Sequence, residues 1–422
     1  MTKDQVRVYL TMLCKKWGFL NVDTNANLYQ AFQRAKKILE DIDLDANLLV
    51  VGPPGTGKTV IAMYRAQQMA KQALEIGETG ERLVRMIMYN KVLSHYSGSW
   101  VSDVFERHVD VRTIHSWGCS VWKTARGQSQ FPPALTPNDK FNYDWSIIRK
   151  QVLQAGQNIG RVVIDEAQDM SPAFFKELAT ITVGSKGVGS VCLFADENQR
   201  LTEGKNSSLS DMRKQLGSLL EISECPLTEN YRNTTEIAEF ASKFYVGLSS
   251  GIPKLPKNRN GEKPRIIGYK GGTLSMVESI VRFARNSPKS SILVIAPSSA
   301  RVIEFRNAIE AQLKPTSRSV RAYSSGKKDH PAEKLQLGLD GSITVLHWQS
   351  MKGVEADAVF VVHVEELDLG NDSDRTEKMR LYVMCSRARN MLELQYSNQH
   401  SANRLVNLIQ DLGMGVIKCD KR

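Results

Sequence analysis

Eight consecutive residues carry the clearest chemistry in the chain. Gly52-Pro53-Pro54-Gly55-Thr56-Gly57-Lys58-Thr59 has the spacing of a loop that cradles phosphate. Its glycines let backbone N–H groups close on phosphate oxygens, and the Lys58 ammonium reaches the β- and γ-phosphates. The Thr59 hydroxyl suits Mg²⁺, and a helix starting here adds partial positive charge. In this reading Gly52, Pro53, Gly55, Thr56, Gly57, Lys58 and Thr59 line a nucleotide. A second run, Val162-Val163-Ile164-Asp165-Glu166-Ala167-Gln168-Asp169, ends an apolar segment in two carboxylates. Asp165 is placed for the metal, and Glu166 for taking a proton from an attacking water. Together the two runs describe a Mg²⁺-dependent nucleoside triphosphatase.

Such groups need rigid supports, and the surrounding pattern supplies them. Asn47–Val51 reads as a buried strand feeding the phosphate loop, and Thr59 to about Leu74 as the helix leaving it. Further strands are predicted at 84–88, 162–164, 191–194, 292–295, 343–346 and 359–362, alternating with helical segments. That alternation specifies α/β architecture around parallel sheets. Residues 251–264, rich in Pro, Gly, Asn and Lys, read as a long loop. Six aromatics fall in residues 117–145 (Trp117, Trp122, Phe131, Phe141, Tyr143, Trp145), where the chain average of 7 % gives about two. The stretch is read as a small insertion whose rings form a miniature core, with one or two left exposed. The competing use is stacking on bases.

Length and composition set the outer bounds. A chain of 422 residues calls for two domains. Its 41 % hydrophobic and 24 % charged content excludes a disordered or fibrous protein. The six cysteines form no C-x-x-C pair, which argues against a zinc ribbon or a disulfide frame and for a reducing, cytoplasmic setting. No apolar run approaches the roughly 18 residues of a spanning helix, and the first residues lack the order of a signal peptide. The net charge of +11 favours a polyanionic partner. Residues 251–340 hold 17 Lys+Arg against 7 Asp+Glu, nearly the whole surplus. Lys254, Lys257 and Arg259 form one candidate phosphate-facing cluster; Arg321, Lys327 and Lys328 form another. A solvated lysine-rich face is the alternative.

Several further segments, in order along the chain, carry a family resemblance. Leu227-Thr228-Glu229-Asn230-Tyr231-Arg232-Asn233-Thr234 resembles the arginine-bearing motif of UvrD/Rep-like superfamily 1 helicases. Ala195-Asp196-Glu197-Asn198-Gln199 is similar to their γ-phosphate-sensing motif, Met351-Lys352-Gly353-Val354-Glu355 to their "AKGLE" element, and Tyr382–Ala388 to their "YVxxTRA" element. Asn90-Lys91 and Thr113-Ile114-His115-Ser116 match two stretches that touch DNA in this family. The resemblance implies that Gln199 contacts the γ-phosphate or the attacking water. It also implies that Arg232 and Arg387 act as arginine fingers, Tyr231 stacks on adenine, and Glu355 binds near the ribose. Gln30 is the candidate adenine-binding glutamine, with Gln33 its rival. Asn90, Lys91, Thr113 and His115 become candidate nucleic-acid contacts. Gln349 joins them, standing where the family usually has a His.

The departures shape the expectation. No aromatic follows Gln199 in the run Arg200–Lys205, where the family stacks on DNA. Fewer than fifty residues separate His115 from Asp165, and about 110 separate Arg232 from Ile343, so the large accessory subdomains of UvrD-like enzymes are missing. The expected architecture is two RecA-like parallel-sheet domains of a P-loop NTPase. An N-terminal helical extension covers 1–24, a first domain 25–224 (with the insertion at 118–158), and a second domain 225–422. The expected function is ATP-dependent, Mg²⁺-assisted translocation on or unwinding of single-stranded DNA or a single-strand/duplex junction, 3′-to-5′ by resemblance. The rival is a nucleic-acid-stimulated ATPase switch serving a larger complex, such as one with a nuclease.

Overall fold

The computed structural model describes residues 42–79, 83–89, 107–127, 131–136, 139, 142–157, 159–184, 189–199, 206–256, 259–313, 318–323, 335, 340–367, 374–398 and 403–422. The proposed extension at 1–24 and Gln30, Gln33, Asn90, Lys91, Phe141, Lys257, Lys327 and Lys328 lie outside them, as does the run 200–205.

Two separate parallel sheets organise the chain. The first holds β1 (Asn47–Val51), β2 (Val84–Met88), β3 (Val109–Thr113), β4 (Arg161–Ile164), β5 (Ser190–Ala195) and β6 (Ile222–Pro226), in the order β3-β2-β4-β5-β1-β6. The second holds β7 (Arg265–Tyr269), β8 (Ile292–Ala296), β9 (Val320–Tyr323), β10 (Ile343–His347), β11 (Ala356–Val361), β12 (Ala388–Ser397) and β13 (Lys418–Lys421), in the order β13-β7-β12-β11-β8-β10-β9. Every recorded pairing within the two sheets is parallel. A parallel sheet needs a crossover after each strand and is covered on both faces, which is why its central strands read as continuous apolar runs.

In the first domain α1 (Lys58–Glu75) covers one face, packing Ile61, Ala62, Met69 and Ala70 on Leu48, Val50, Met86 and Phe194. Helices α2 (Ile114–Arg126), α3 (Trp145–Gln154), α4 (Pro172–Gly184) and α5 (Leu209–Gly217) cover the other. The aromatic-rich stretch supplies part of that second layer. Trp117 stacks on Trp145 with ring centroids 5.7 Å apart, and both meet Phe174 of α4 edge-on. Trp122 and Tyr143 are buried with them, whereas Phe131 is 77 % exposed. Among the described residues, the rings of this stretch are core, with Phe131 left at the surface.

In the second domain α6 (Thr235–Ser242), α9 (Asp374–Cys385) and α10 (Arg404–Leu412) lie on one face, and α7 (Gly272–Asn286) and α8 (Ser299–Leu313) on the other. The sequence placed the domain boundary at 224/225, but Cys225 and Pro226 pair with Val50 and Val51 inside the first sheet. The chain leaves that sheet only after Pro226. No helix among the described residues is long and apolar enough to cross a membrane.

Candidate active site

The phosphate loop follows β1 and caps α1. Gly55 and Gly57 have φ of 81° and 85°, a left-handed backbone that suits glycine. Gly55 is doubly constrained, because a Cβ there would lie 2.3 Å from Asn230 Oδ1. Thr56 Oγ1 donates to Pro53 O at 2.9 Å, and Lys58 Nζ donates to Gly52 O at 2.6 Å and Pro53 O at 3.0 Å. Burial lowers the Lys58 ammonium's pKa, and Asp196, Glu166 and Asp165 partly offset that.

The acidic groups come from the ends of β4 and β5, adjacent strands that aim their C-termini at the loop. Asp165 Oδ1 accepts from Glu166 N at 3.0 Å, whereas Oδ2 is buried without a hydrogen bond of good geometry. Burial and the neighbouring Glu166 push Asp165 up to about 7, while the nearby Thr59 hydroxyl and Lys58 pull the other way. A buried, unsatisfied carboxylate oxygen near a threonine hydroxyl is the donor set a hard divalent cation prefers. Glu166 has φ 53°, a strained conformation for a residue with a side chain. Its Oε2 accepts from Gln168 Nε2 at 2.6 Å. Burial raises its pKa, but Lys352, Lys58 and Arg387 outweigh burial and hold it below the ordinary value. Gln168 Oε1 in turn accepts from Asp196 N at 2.9 Å, tying the two strand ends together.

Gln199 joins the two domains. Its Nε2 donates to Asp196 Oδ2 at 2.7 Å, and its Oε1 accepts from Arg387 Nη2 at 2.9 Å. Arg387 follows α9 and is fully buried, with Nε donating to Val383 O. Burial and the nearby Arg232 lower it to about 10. Arg232 forms an ion pair with Glu355, whose other oxygen accepts from Arg389 Nε at 3.1 Å and Nη2 at 2.8 Å. Burial raises the Glu355 carboxyl, but Arg232 and Arg389 prevail and hold it at about 2. The Glu355 carboxylate thus braces two arginines.

The segment 227–234 straps the halves together. Leu227 N donates to Val51 O at 2.7 Å and Tyr231 N to Gly55 O at 2.9 Å, on the first domain. Thr234 N donates to Arg389 O, and Asn233 Nδ2 to Ser386 O, on the second. Asn230 Oδ1 accepts from the backbone of Arg232 and Asn233, shaping the turn. The Tyr231 hydroxyl donates to Glu229 Oε2 at 2.8 Å.

Lys58, Asp165, Glu166, Gln199, Arg232 and Arg387 therefore converge, as do the loop residues Gly52 to Thr59, with Tyr231 and Glu355 alongside. Sequence reasoning assigned no role to Lys352, Asp169, Gln168 or Arg389, all buried here. The signal was present for the first three, which lie inside motifs quoted for other residues.

The expected nucleic-acid residues are more scattered. Thr113 caps α2, accepting from Ser116 N at 3.2 Å. His115 meets Tyr89 and Tyr143 edge-on, with centroids 6.0 and 5.8 Å away, and burial lowers its pKa. Lys254 and Gln349 are exposed. Arg259 is not an open phosphate contact: it is partly buried and donates to Tyr231 O at 2.7 Å and Asn390 Oδ1 at 3.1 Å. Much of the basic surplus is similarly committed. Arg265 pairs with Glu262, Arg301 with Glu304 and Glu366, and Arg306 with Glu310, while Arg318 donates to four backbone carbonyls.

With both sheets defined, the architecture is that of two RecA-like parallel-sheet domains. Among solved structures the chain is similar to S. cerevisiae Dbp5 bound to RNA and ADP BeF3, at TM-score 0.52 and 12 % identity, covering 97 % of this chain and 95 % of that one. It is also similar to the DEAD-box helicase Mss116 bound to ssRNA and UDP-BeF, at TM-score 0.51 and 12 % identity, covering 98 % and 80 %. At that identity the likeness is one of fold. No protein-family model matches the chain, and no curated protein matches it significantly.

Proposed function

We propose that the protein is an ATP-driven motor on nucleic acid, a translocase or helicase of the UvrD-like superfamily 1 type acting 3′-to-5′ on single-stranded DNA. The observation that carries this reading is the Arg387–Gln199–Asp196 chain, in which a second-domain arginine meets a first-domain sensor beside Lys58. Thr59 and Asp165 would hold Mg²⁺, which supplies charge neutralisation on the β- and γ-oxygens. Lys58 and the loop N–H groups hold the phosphates. Gln199 orients the attacking water, and Glu166 accepts its proton. Arg232 and Arg387 stabilise charge as it develops on the γ-oxygens, an effect worth roughly 10³–10⁵ in rate for a single arginine. Because these groups come from two domains, hydrolysis is coupled to their relative motion.

Dbp5 and Mss116, whose structures hold RNA or ssRNA, share the fold, so RNA is a direct competitor as the track. The test is ATPase rate with single-stranded DNA, single-stranded RNA and duplex, followed by strand displacement. A rate indifferent to all three would refute the motor. The second reading, an ATPase switch licensing a partner such as a nuclease, is favoured by the burial of Trp117, Trp122, Tyr143 and Trp145, which leaves Phe131 as the exposed ring among the described residues of that stretch. Strong stimulation by a strand without displacement would select it.

A further inference from the structure

Lys352 lies in the second domain but spends its ammonium in the first. Its Nζ donates to Asp169 Oδ1 at 2.7 Å, to Asp169 Oδ2 at 2.7 Å and to Gln199 O at 2.6 Å. An ammonium has three hydrogens and no acceptor, so these contacts use its donor capacity. Both side chains are about 5 % exposed, and Glu166 Oε2 lies 3.8 Å from the same nitrogen. Asp169 closes the turn carrying Glu166, its own N donating to Glu166 O at 3.0 Å, and Asn206 donates to its Oδ1 at 3.0 Å. One second-domain cation thus fixes two first-domain segments: the turn that presents Glu166 and the backbone at Gln199.

We propose that Lys352 and Asp169 form an interdomain latch, a pair of positioning residues that sets Glu166 and Gln199 for hydrolysis only when the two domains are together. The latch rests on the reading of the cleft as an ATP-hydrolysing site and deepens it. Lys352 sits two residues beyond the short helical turn Trp348–Ser350, whose Trp348 is buried under Arg380 at 5.2 Å and whose Gln349 is exposed. A displacement of that turn is transmitted to Lys352 over three residues of chain. The latch thus begins three residues along the chain from the exposed Gln349 and ends, through the Lys352–Asp169 hydrogen bonds, at the turn that carries Glu166.

This role differs measurably from that of a direct phosphate ligand. If Lys352 acts by holding Asp169, removing either partner has the same effect. If it instead binds the γ-phosphate, Asp169→Asn frees the lysine and leaves turnover intact or raised. The experiment measures kcat and KM for ATP, with and without single-stranded DNA and RNA, for wild type, Lys352→Ala, Asp169→Asn and the double variant. Hydrogen exchange at the Ala167–Met170 turn is read on the same proteins. The expected result is a loss of at least 10-fold in kcat for each single variant, with KM within about threefold. The double variant should be no worse than either single one, and exchange at the turn should be faster in all three. Lys352→Gln, which keeps much of the stem, serves if the alanine variant does not fold. Normal kcat in Asp169→Asn, additive losses, or unchanged exchange would overturn the latch. A wild-type protein that hydrolyses ATP while the variants behave like it removes the latch alone. A wild-type protein with no ATPase removes the reading beneath it as well.

Discussion

Replacing Glu355 with Gln removes one negative charge from a group of three arginines and almost nothing from its volume. Glu355 lies between Arg232 and Arg389, and Arg387 adds to the same field. Its carboxyl is lowered from 4.5 to about 2 in the folded protein. At 1.36 kcal/mol per unit, that depression corresponds to roughly 3 kcal/mol of stabilisation at neutral pH. That figure sits at the lower end of the roughly 3–5 kcal/mol seen when one partner of a buried pair is removed, as fits a carboxylate that keeps 22 % of its side chain exposed. Because the folded value lies below the unfolded one, the contribution is complete above the unfolded pKa. It is lost as pH falls through the folded value. The stability gap between wild type and Glu355→Gln, read from urea unfolding, should thus be flat between about pH 8 and 5 and narrow below about 4.5. ATPase should fall too, because Arg232 loses its brace. A gap under about 1 kcal/mol at pH 7.5, the value of an exposed pair, would refute the claim that this carboxylate holds the arginines in place.

Lys58→Ala should abolish turnover, while Glu166→Gln should still bind ATP with Mg²⁺ in a filter assay but hydrolyse it very slowly; normal turnover in the second would strip Glu166 of its role. Arg232→Ala and Arg387→Ala should each reduce kcat by at least about 10²-fold with smaller changes in nucleotide affinity, because an arginine finger acts on charge in the transition state. Affinity loss alone, with kcat kept, would make that arginine a ground-state ligand. Lys254→Glu should weaken single-strand binding and flatten its salt dependence, about 0.7 in log–log slope per phosphate contact, with basal ATPase unchanged. Arg259→Glu should instead impair ATPase, since Arg259 holds the Tyr231 carbonyl; equal effects of the two on strand binding alone would contradict the placement of Arg259.

The legible parts of the fold were those whose residues are apolar on both faces. β1, β2, β4, β5, β8, β10 and β11 are such strands, and each lies within a residue or three of its predicted span. Six strands went unread; β3, β12 and β13 fail that test for identifiable reasons, whereas β7 is apolar and buried but was passed over. β3 carries Asp110 and Arg112, which pair with each other at its sheet edge, and β13 is exposed along its length. β12 buries Glu393, Gln395 and Ser397 on one face, where Gln395 Nε2 and the Tyr269 hydroxyl satisfy Glu393, so its polar positions imitate a surface. The site divides the same way. Lys58, Asp165 and Glu166 are fixed by their own short motifs. Arg259 is the converse: its basic, Pro-rich context suggested a phosphate-facing cluster, and only the fold brings Tyr231 O and Asn390 to it. Arg389 and Lys352 find their partners across at least 30 residues of sequence, which spacing alone does not encode.

The strap from Leu227 to Thr234 makes the two arginines proposed as fingers mechanically unequal. Arg232 rides on a backbone leashed to Gly55 through Tyr231 N and to the end of β1 through Leu227 N. Arg387 follows α9, deep in the second domain, and reaches the first through a side-chain bond to Gln199. In the proposed cycle an opening cleft would carry Arg387 with the second domain, whereas Arg232 would be held from both sides, by the leash to Gly55 and by its contacts with Glu355 and Ser386 O. On the proposed motor reading, a distance probe at position 387 would register each cycle in full, and one at position 232, held from both domains, would register a smaller movement.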